Sequence, residues 1–144
     1  MTAIGTTTGI DARTDARTVV VNYVNAVAEG DLETVVASFA EDATWTYPGD
    51  LPLSRVWEGR DAIVGDFLGG AGALFAPGCT PEVALVNAFA DGEQVLAEWT
   101  SKGITLNGHQ YDNRCAGIFT VRDGKITSVR EYADTQHVER TLFG

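Results

Sequence analysis

The stretch from Pro81 to Ala133 constrains this chain more than any other. Its apolar residues follow a period of two, broken at Asp91-Gly92, Asn107-Gly108 and Arg122-Asp123-Gly124. Such alternation marks half-buried strands, and Asx-Gly between two of them marks a hairpin, because glycine supplies the positive φ a tight turn needs. The segment reads as a four-stranded antiparallel meander over about 82–90, 94–104, 109–121 and 125–133. The first half has another period. Within residues 12–29, Val19, Val20, Tyr23, Val24 and Val27 recur at helical spacing. Gly30 stops that helix, and Asp31 caps a short second one through about Phe39. "DATWTYP" is strand-like and halts at Pro48-Gly49, residues 48–58 read as a loop, and "GRDAIVGDFLGGAGALF" as a helix weakened by Gly69, Gly70 and Gly72. The segment "DTQHVERTLFG" has room for one or two helical turns. Helices followed by a meander make an α+β domain. Residues 1–12 read as a flexible tail and 13–144 as a single domain.

The turns also set which residues meet. A two-residue Asn-Gly turn pairs Leu106 with His109, Lys102 with Asn113, Thr100 with Cys115 and Glu98 with Gly117. For Arg122-Asp123-Gly124, a three-residue loop pairs Gly117 with Val129 and Cys115 with Glu131. A two-residue Asp-Gly turn instead sets Glu131 against Ala116. The three-residue loop is preferred because it requires glycine only once. One face then carries Glu98, Thr100, Lys102, His109, Asn113, Cys115, Gly117, Val129 and Glu131, and the other Trp99, Ala116, Ile118, Arg130 and Tyr132. Neither face is simply solvent-like, which suggests a lined cavity on the first and a partner subunit on the second. Glu131, among small apolar neighbours, is the candidate proton-transfer group, since burial raises a carboxyl pKa.

Composition removes several classes. A formal charge of -10 disfavours nucleic acid and anionic membranes as partners. No apolar run is long enough for a membrane span, and the N-terminal residues lack the pattern of a signal peptide. The two cysteines, Cys79 and Cys115, and the two histidines, His109 and His137, have no metal-ligand spacing, and no glycine-rich phosphate loop follows a strand. The expectation is a cytoplasmic protein that uses neither metal nor cofactor.

Helix 1 ending in "YVNAVAEGDLETVVASFAEDATWTYPG", then "WEGRDAI", "GHQYDN" and "FTVRDGKITSVREYADT", resembles the SnoaL-like, ketosteroid isomerase-like group of the NTF2-like superfamily over residues 14–136. The resemblance implies a cone-shaped α+β barrel, its curved sheet wrapped over helices around a deep apolar pocket, with a homodimer through the convex face. Here that face would bear Trp99, Ile118, Arg130 and Tyr132. It also puts Glu131 on the pocket side. Ketosteroid isomerases use a helix-1 tyrosine, an Asp base and a protonated Asp, positions that fall here at Tyr23, Tyr47 and Gly117; two of the three are absent. The Asp–Arg–Asp set of limonene-epoxide hydrolases falls at Thr100, Glu98 and Glu131, with the water holders at Trp45 and Tyr47; only the acid at 131 survives. SnoaL-type polyketide cyclases use an acid in the last strand as general base, and Glu131 sits near that place. The resemblance thus implies a small-molecule isomerase or cyclase acting on an apolar polyketide-like substrate by acid–base chemistry or pericyclic closure. A non-catalytic ligand-binding protein and an epoxide hydrolase are the alternatives. Catalytic candidates are Glu131, Tyr23, Tyr47 and Asn113. Candidate substrate contacts are Trp45, Trp57, Glu98, Thr100, Lys102, His109, Cys115, Gly117 and Val129.

Overall fold

The computed structural model describes residues 3–144, with side chains from residue 16 onward. Helix α1 (Ala3–Glu29) runs through most of the stretch read as a tail; residues 1 and 2 lie outside the described residues. Ala16, Val20, Tyr23 and Val24 form its buried stripe. Gly30, at φ 71°, ends it. Asp31 then accepts from the backbone N–H of Thr34 and caps α2 (Leu32–Ala37), as its sequence position suggests. The Lys125 ammonium reaches the Ala37 carbonyl at 2.6 Å and closes the other end of this helix.

Strand β1 (Phe39–Thr46) starts at once, and β2 (Val56–Glu58) forms in the stretch read as a loop, where it pairs Trp57 with Trp45. The glycine-rich helix proves to be a π-helical segment, Ala62–Leu68, passing into the single turn α3 (Gly69–Gly72). Then come the meander strands β3 (Glu82–Asp91), β4 (Gln94–Ile104), β5 (Gln110–Arg122) and β6 (Lys125–Ala133), and last α4 (Thr135–Leu142). The six strands lie in the order β2-β1-β6-β5-β4-β3. All neighbours are antiparallel except β1, which runs parallel to β6. The sheet curls round α1, and Val20, Phe39, Ala43, Ile63, Val95, Phe119 and Ile126 at its centre are wholly buried. This is the expected α+β cone. Among the described residues no helix is long and apolar enough to cross a membrane.

The register differs from the expected one in both hairpins. Between β4 and β5 the Thr105 N–H bonds the His109 carbonyl at 2.8 Å, so the loop holds three residues, Leu106, Asn107 and Gly108, with only Gly108 at positive φ. The pairs are therefore Trp99 with Cys115, Ser101 with Asn113 and Glu98 with Ala116. A one-residue slip exchanges faces. It moves Glu98, Thr100 and Lys102 to the outer face and turns Trp99 inward. Between β5 and β6 the turn is the two-residue Asp123-Gly124, both at positive φ. A bulge at Thr127 then adds one further residue of offset, so Glu131 faces Gly117, neither Cys115 nor Ala116. Two offsets of one restore the parity, and Glu131 keeps the inward face on which it was expected.

Gly117 is the closest approach in the sheet. A Cβ there would lie 2.9 Å from Phe119 Cε1 and 3.1 Å from Trp99 Cη2. Phe119 is wholly buried and cannot retreat. Replacing a strand glycine by alanine ordinarily gains stability by restricting the unfolded chain, but overpacking outweighs that here. Gly117→Ala should lower stability by about 1–3 kcal/mol in urea unfolding, whereas Gly65→Ala, whose Cβ meets nothing within 4 Å, should not.

Candidate active site

A cavity of about 600 Å³ lies between the inner face of the sheet, α1 and the glycine-rich helical segment. Alternation along the strands supplies its wall: Trp45 and Tyr47 from β1, Trp99 and Ser101 from β4, Tyr111 and Cys115 from β5, and Glu131 from β6. Tyr23 enters from α1, and Phe67 and Leu68 from the helical segment. Trp45 is the hub of the aromatic packing, 5.2 Å between ring centres from Phe67, 6.0 Å from Phe119 and 6.2 Å from Tyr23. Exposed Glu29, Leu32, Thr80 and Glu82 mark the open side. Among the described residues no arginine, lysine or histidine lines the cavity.

Among the described residues Glu131 is the only acid in the enclosed part, 7% exposed. The parallel pairing of β1 with β6 sets Trp45 beside Val129, two residues from Glu131 on the same face. From there Trp45 Nε1 donates to Glu131 Oε1 at 3.0 Å, and the Cys115 thiol is a second donor. Burial raises the Glu131 pKa to about 8, against the lowering effect of those two donors. Burial, reinforced by the Glu131 charge, also holds Tyr23 and Tyr47 far above the usual phenol range. It does the same to the Cys115 thiol, so that thiol is neutral at physiological pH. At neutral pH the site therefore holds a carboxyl that can give or take a proton, flanked by phenols that can only donate or accept hydrogen bonds.

Among the residues singled out from sequence, the cavity brings together Glu131, Tyr23, Tyr47, Trp45 and Cys115. Gly117 and Val129 share the inward face but are not on the cavity wall: Gly117 lies against Trp99 and Phe119, and Val129 is buried in the strand pair with Phe119. Trp57 is one layer back, stacked at 5.5 Å behind Phe67 with its indole N–H on the Leu53 carbonyl. Asn113 faces inward and is buried, but its amide is spent on Tyr111 and on the backbone of Asp134. Glu98, Thr100 and Lys102 stand on the outer face, Glu98 accepting from Asn87, because the β4–β5 loop has three residues. His109 is exposed at the hairpin end. Trp99, expected on the outer face, lines the cavity, again through that loop. Tyr111 and Phe67 were not foreseen. Tyr111 was readable, since it alternates with Asn113 and Cys115; nothing in the sequence marked Phe67. Among the described residues no group of His, Cys, Asp or Glu could hold a metal ion.

The Glu131 pKa has a consequence for stability. Below pH 4.5 both folded and unfolded chains keep this proton. Between 4.5 and about 8 the unfolded chain releases it while the folded chain holds it, so stability falls as pH rises through that window. Glu131→Gln has no proton to lose. In urea unfolding it should gain roughly 3–5 kcal/mol on the wild type between pH 4.5 and 8.5; a constant difference would mean that the folded carboxyl titrates normally.

The SnoaL-like domain family matches residues 20–129. An LEH-like epoxide hydrolase from M. tuberculosis is similar over 91% of both chains, with 26% identity and a TM-score of 0.71. A putative SnoaL-like polyketide cyclase from Jannaschia sp. CCS1 covers 91% of this chain and 93% of its own, at 15% identity and a TM-score of 0.73. TerC, crystallised with polyporic acid, covers 90% and 99% respectively, at 20% identity and a TM-score of 0.76. The last two likenesses are of fold. With the family match spanning most of the domain, from α1 to the inward face of β6, this chain belongs to the SnoaL-like family.

Proposed function

We propose that this protein is a cofactor-independent enzyme that moves a proton next to a carbonyl of a small apolar, polyketide-like molecule and so isomerises it or closes a ring. The observation that carries the reading is a buried carboxyl on the wall of an aromatic cavity, with no cationic side chain among the described residues of that wall to neutralise it. The Glu131 carboxylate takes a proton from the carbon beside the carbonyl, and the electron pair moves onto the carbonyl oxygen as an enolate. Tyr23 or Tyr47, kept neutral by burial, donates to that oxygen. The protonated Glu131 then returns the proton to another carbon, or the enolate carbon attacks a second carbonyl and Glu131 protonates the new alkoxide. A pKa of about 8 suits both directions of transfer near neutral pH. The polyketide cyclase among the structural relatives supports this substrate class. The hydrolase reading would need a second enclosed acid and an arginine, and the described residues of the cavity lining supply neither.

The test is exchange of the α-protons of 2-tetralone in D2O, followed by NMR. The wild type should accelerate exchange with a rate that rises with pH toward a plateau above about 8. Glu131→Gln should lose about 100-fold or more while remaining folded. Full activity in that variant would remove Glu131 as the base and favour pericyclic closure or ligand binding without catalysis.

Assembly belongs to the same reading: a homodimer through the convex face of the sheet. Ile118, Arg130 and Tyr132 lie there as expected from sequence, joined by Phe89 and Leu96 in place of Trp99. Phe89 is 61% and Leu96 42% exposed, a contiguous apolar patch that a monomer would leave in water. Light scattering at micromolar concentration should give twice the chain mass, and Leu96→Glu should halve it. A wild-type monomer at that concentration would refute the dimer.

A further inference from the structure

Tyr111 carries a hydrogen-bond geometry that the proposed chemistry has not used. Its ring is fixed from two sides, edge-on to Phe75 at 5.4 Å and stacked near His137 at 5.3 Å. His137 is itself held, since its Nε2 accepts from the Asp112 backbone N–H at 3.0 Å. The hydroxyl receives a hydrogen bond from Asn113 Nδ2 at 3.1 Å.

The direction of that bond is not a matter of choice. The Asp134 backbone N–H can only donate, and it bonds Asn113 Oδ1 at 3.2 Å. The amide oxygen is thereby assigned, and the NH2 group must face Tyr111. A second contact agrees, with Nδ2 also 3.3 Å from the Asp134 carbonyl. Tyr111 is therefore an acceptor from Asn113, and its own proton must point elsewhere. Among the described residues the hydroxyl has no other hydrogen-bond partner, while the residue lines the cavity beside Cys115 and Tyr47. Burial keeps the phenol neutral, so the proton stays available for donation.

We infer that Tyr111 is a catalytic hydrogen-bond donor to a carbonyl or enolate oxygen of the substrate, with Asn113 as the positioning residue that turns its proton into the cavity. The chain Asp134 N–H to Asn113 to Tyr111 to substrate oxygen runs donor to acceptor throughout, and each link polarises the next. Tyr47 lines the same cavity, near enough that Tyr111 helps to hold its phenol neutral. A substrate oxygen held between the two would put the adjacent carbon near the carboxyl. The bound molecule must therefore present an acceptor oxygen at this end of the cavity.

This inference rests on the reading of the cavity as a carbonyl site, but its test needs no turnover. The probe is 2-acetylnaphthalene carrying 13C at the carbonyl, titrated into the protein and observed by NMR, with tryptophan fluorescence reporting uptake. In the wild type the carbonyl resonance should move downfield of its position in hexane. Tyr111→Phe should return it upfield and weaken binding by up to about tenfold. Asn113→Asp, measured at pH 9 beside the wild type, keeps the acceptor for Asp134 but presents a carboxylate to Tyr111. It should recapture the phenol proton and produce the same upfield return with the hydroxyl still present. An unchanged resonance in Tyr111→Phe overturns the assignment. So does a loss that follows Tyr47→Phe instead, or no uptake of the ketone by the wild type up to its solubility limit. Glu131→Gln separates the two readings: if it keeps exchange activity while the Tyr111 effect stands, the base is wrong and the donor is right.

Discussion

The hydrogen bond from Trp45 to Glu131 is the point on which the site turns. A buried carboxylate with no cation is costly unless it finds donors or takes up a proton. Here an indole N–H and a thiol supply part of what water would, and the raised pKa supplies the rest. The dependence runs both ways, because an indole N–H buried in a wholly apolar core would itself be left without a partner. The pair holds the Trp45 indole in one orientation, and that ring in turn packs against Tyr23, Phe67 and Phe119. The polar contact therefore shapes an apolar space.

The scaffold makes this contact possible through its one parallel pairing. A pure meander would bring only sequence neighbours together. The chain instead returns β6 alongside β1, so residues 86 apart in sequence come within hydrogen-bonding distance. The turn from β6 into α4 contributes at the other end, where Asn113 ties the Asp134 backbone to β5. Glu131 thus lies on a strand held along one edge by β1, along the other by β5, and at its C-terminal end by an amide clamp. A proton-transfer group needs such restraint, since a small misplacement costs much of the benefit of proximity.

Much of this was legible in the chain. The four meander strands fall within a residue or two of their expected limits, and Asp31 and Gly30 act as their types suggest. The failure lay in counting residues through turns. Asn-Gly permits a two-residue loop or a three-residue one, and the choice rests on the sign of φ at Asn107. That is decided by contacts far along the chain: Leu106 N–H bonds the Leu74 carbonyl at 2.8 Å, and the Asn107 amide bonds the Gly144 carbonyl at 2.9 Å. No local pattern encodes them. The slip cost the sequence reading Trp99 as a cavity residue and admitted Glu98, Thr100 and Lys102 in its place. Glu131 survived because the shorter turn and the Thr127 bulge each shift the pairing by one, two in all, which leaves its face unchanged.

That bulge also bears on how β6 can change length. Its two ends are pinned, one by the Asp123-Gly124 turn and the other by the Asn113 clamp on Asp134. The strand between them spends one residue, Thr127, outside the ladder, its hydroxyl resting on the Thr120 carbonyl at 3.2 Å. Loss of that single residue would leave every ladder pair in place, with Ser128 following Ile126 directly and Glu131 still opposite Gly117. Elsewhere in the strand there is no spare residue: a single deletion between Ser128 and Glu131 that left the bulge as it is would carry Tyr132 into the cavity and Glu131 to the outside. The bulge is therefore one residue of slack, the point at which β6 can shorten without exchanging the interior of the cavity for the convex surface.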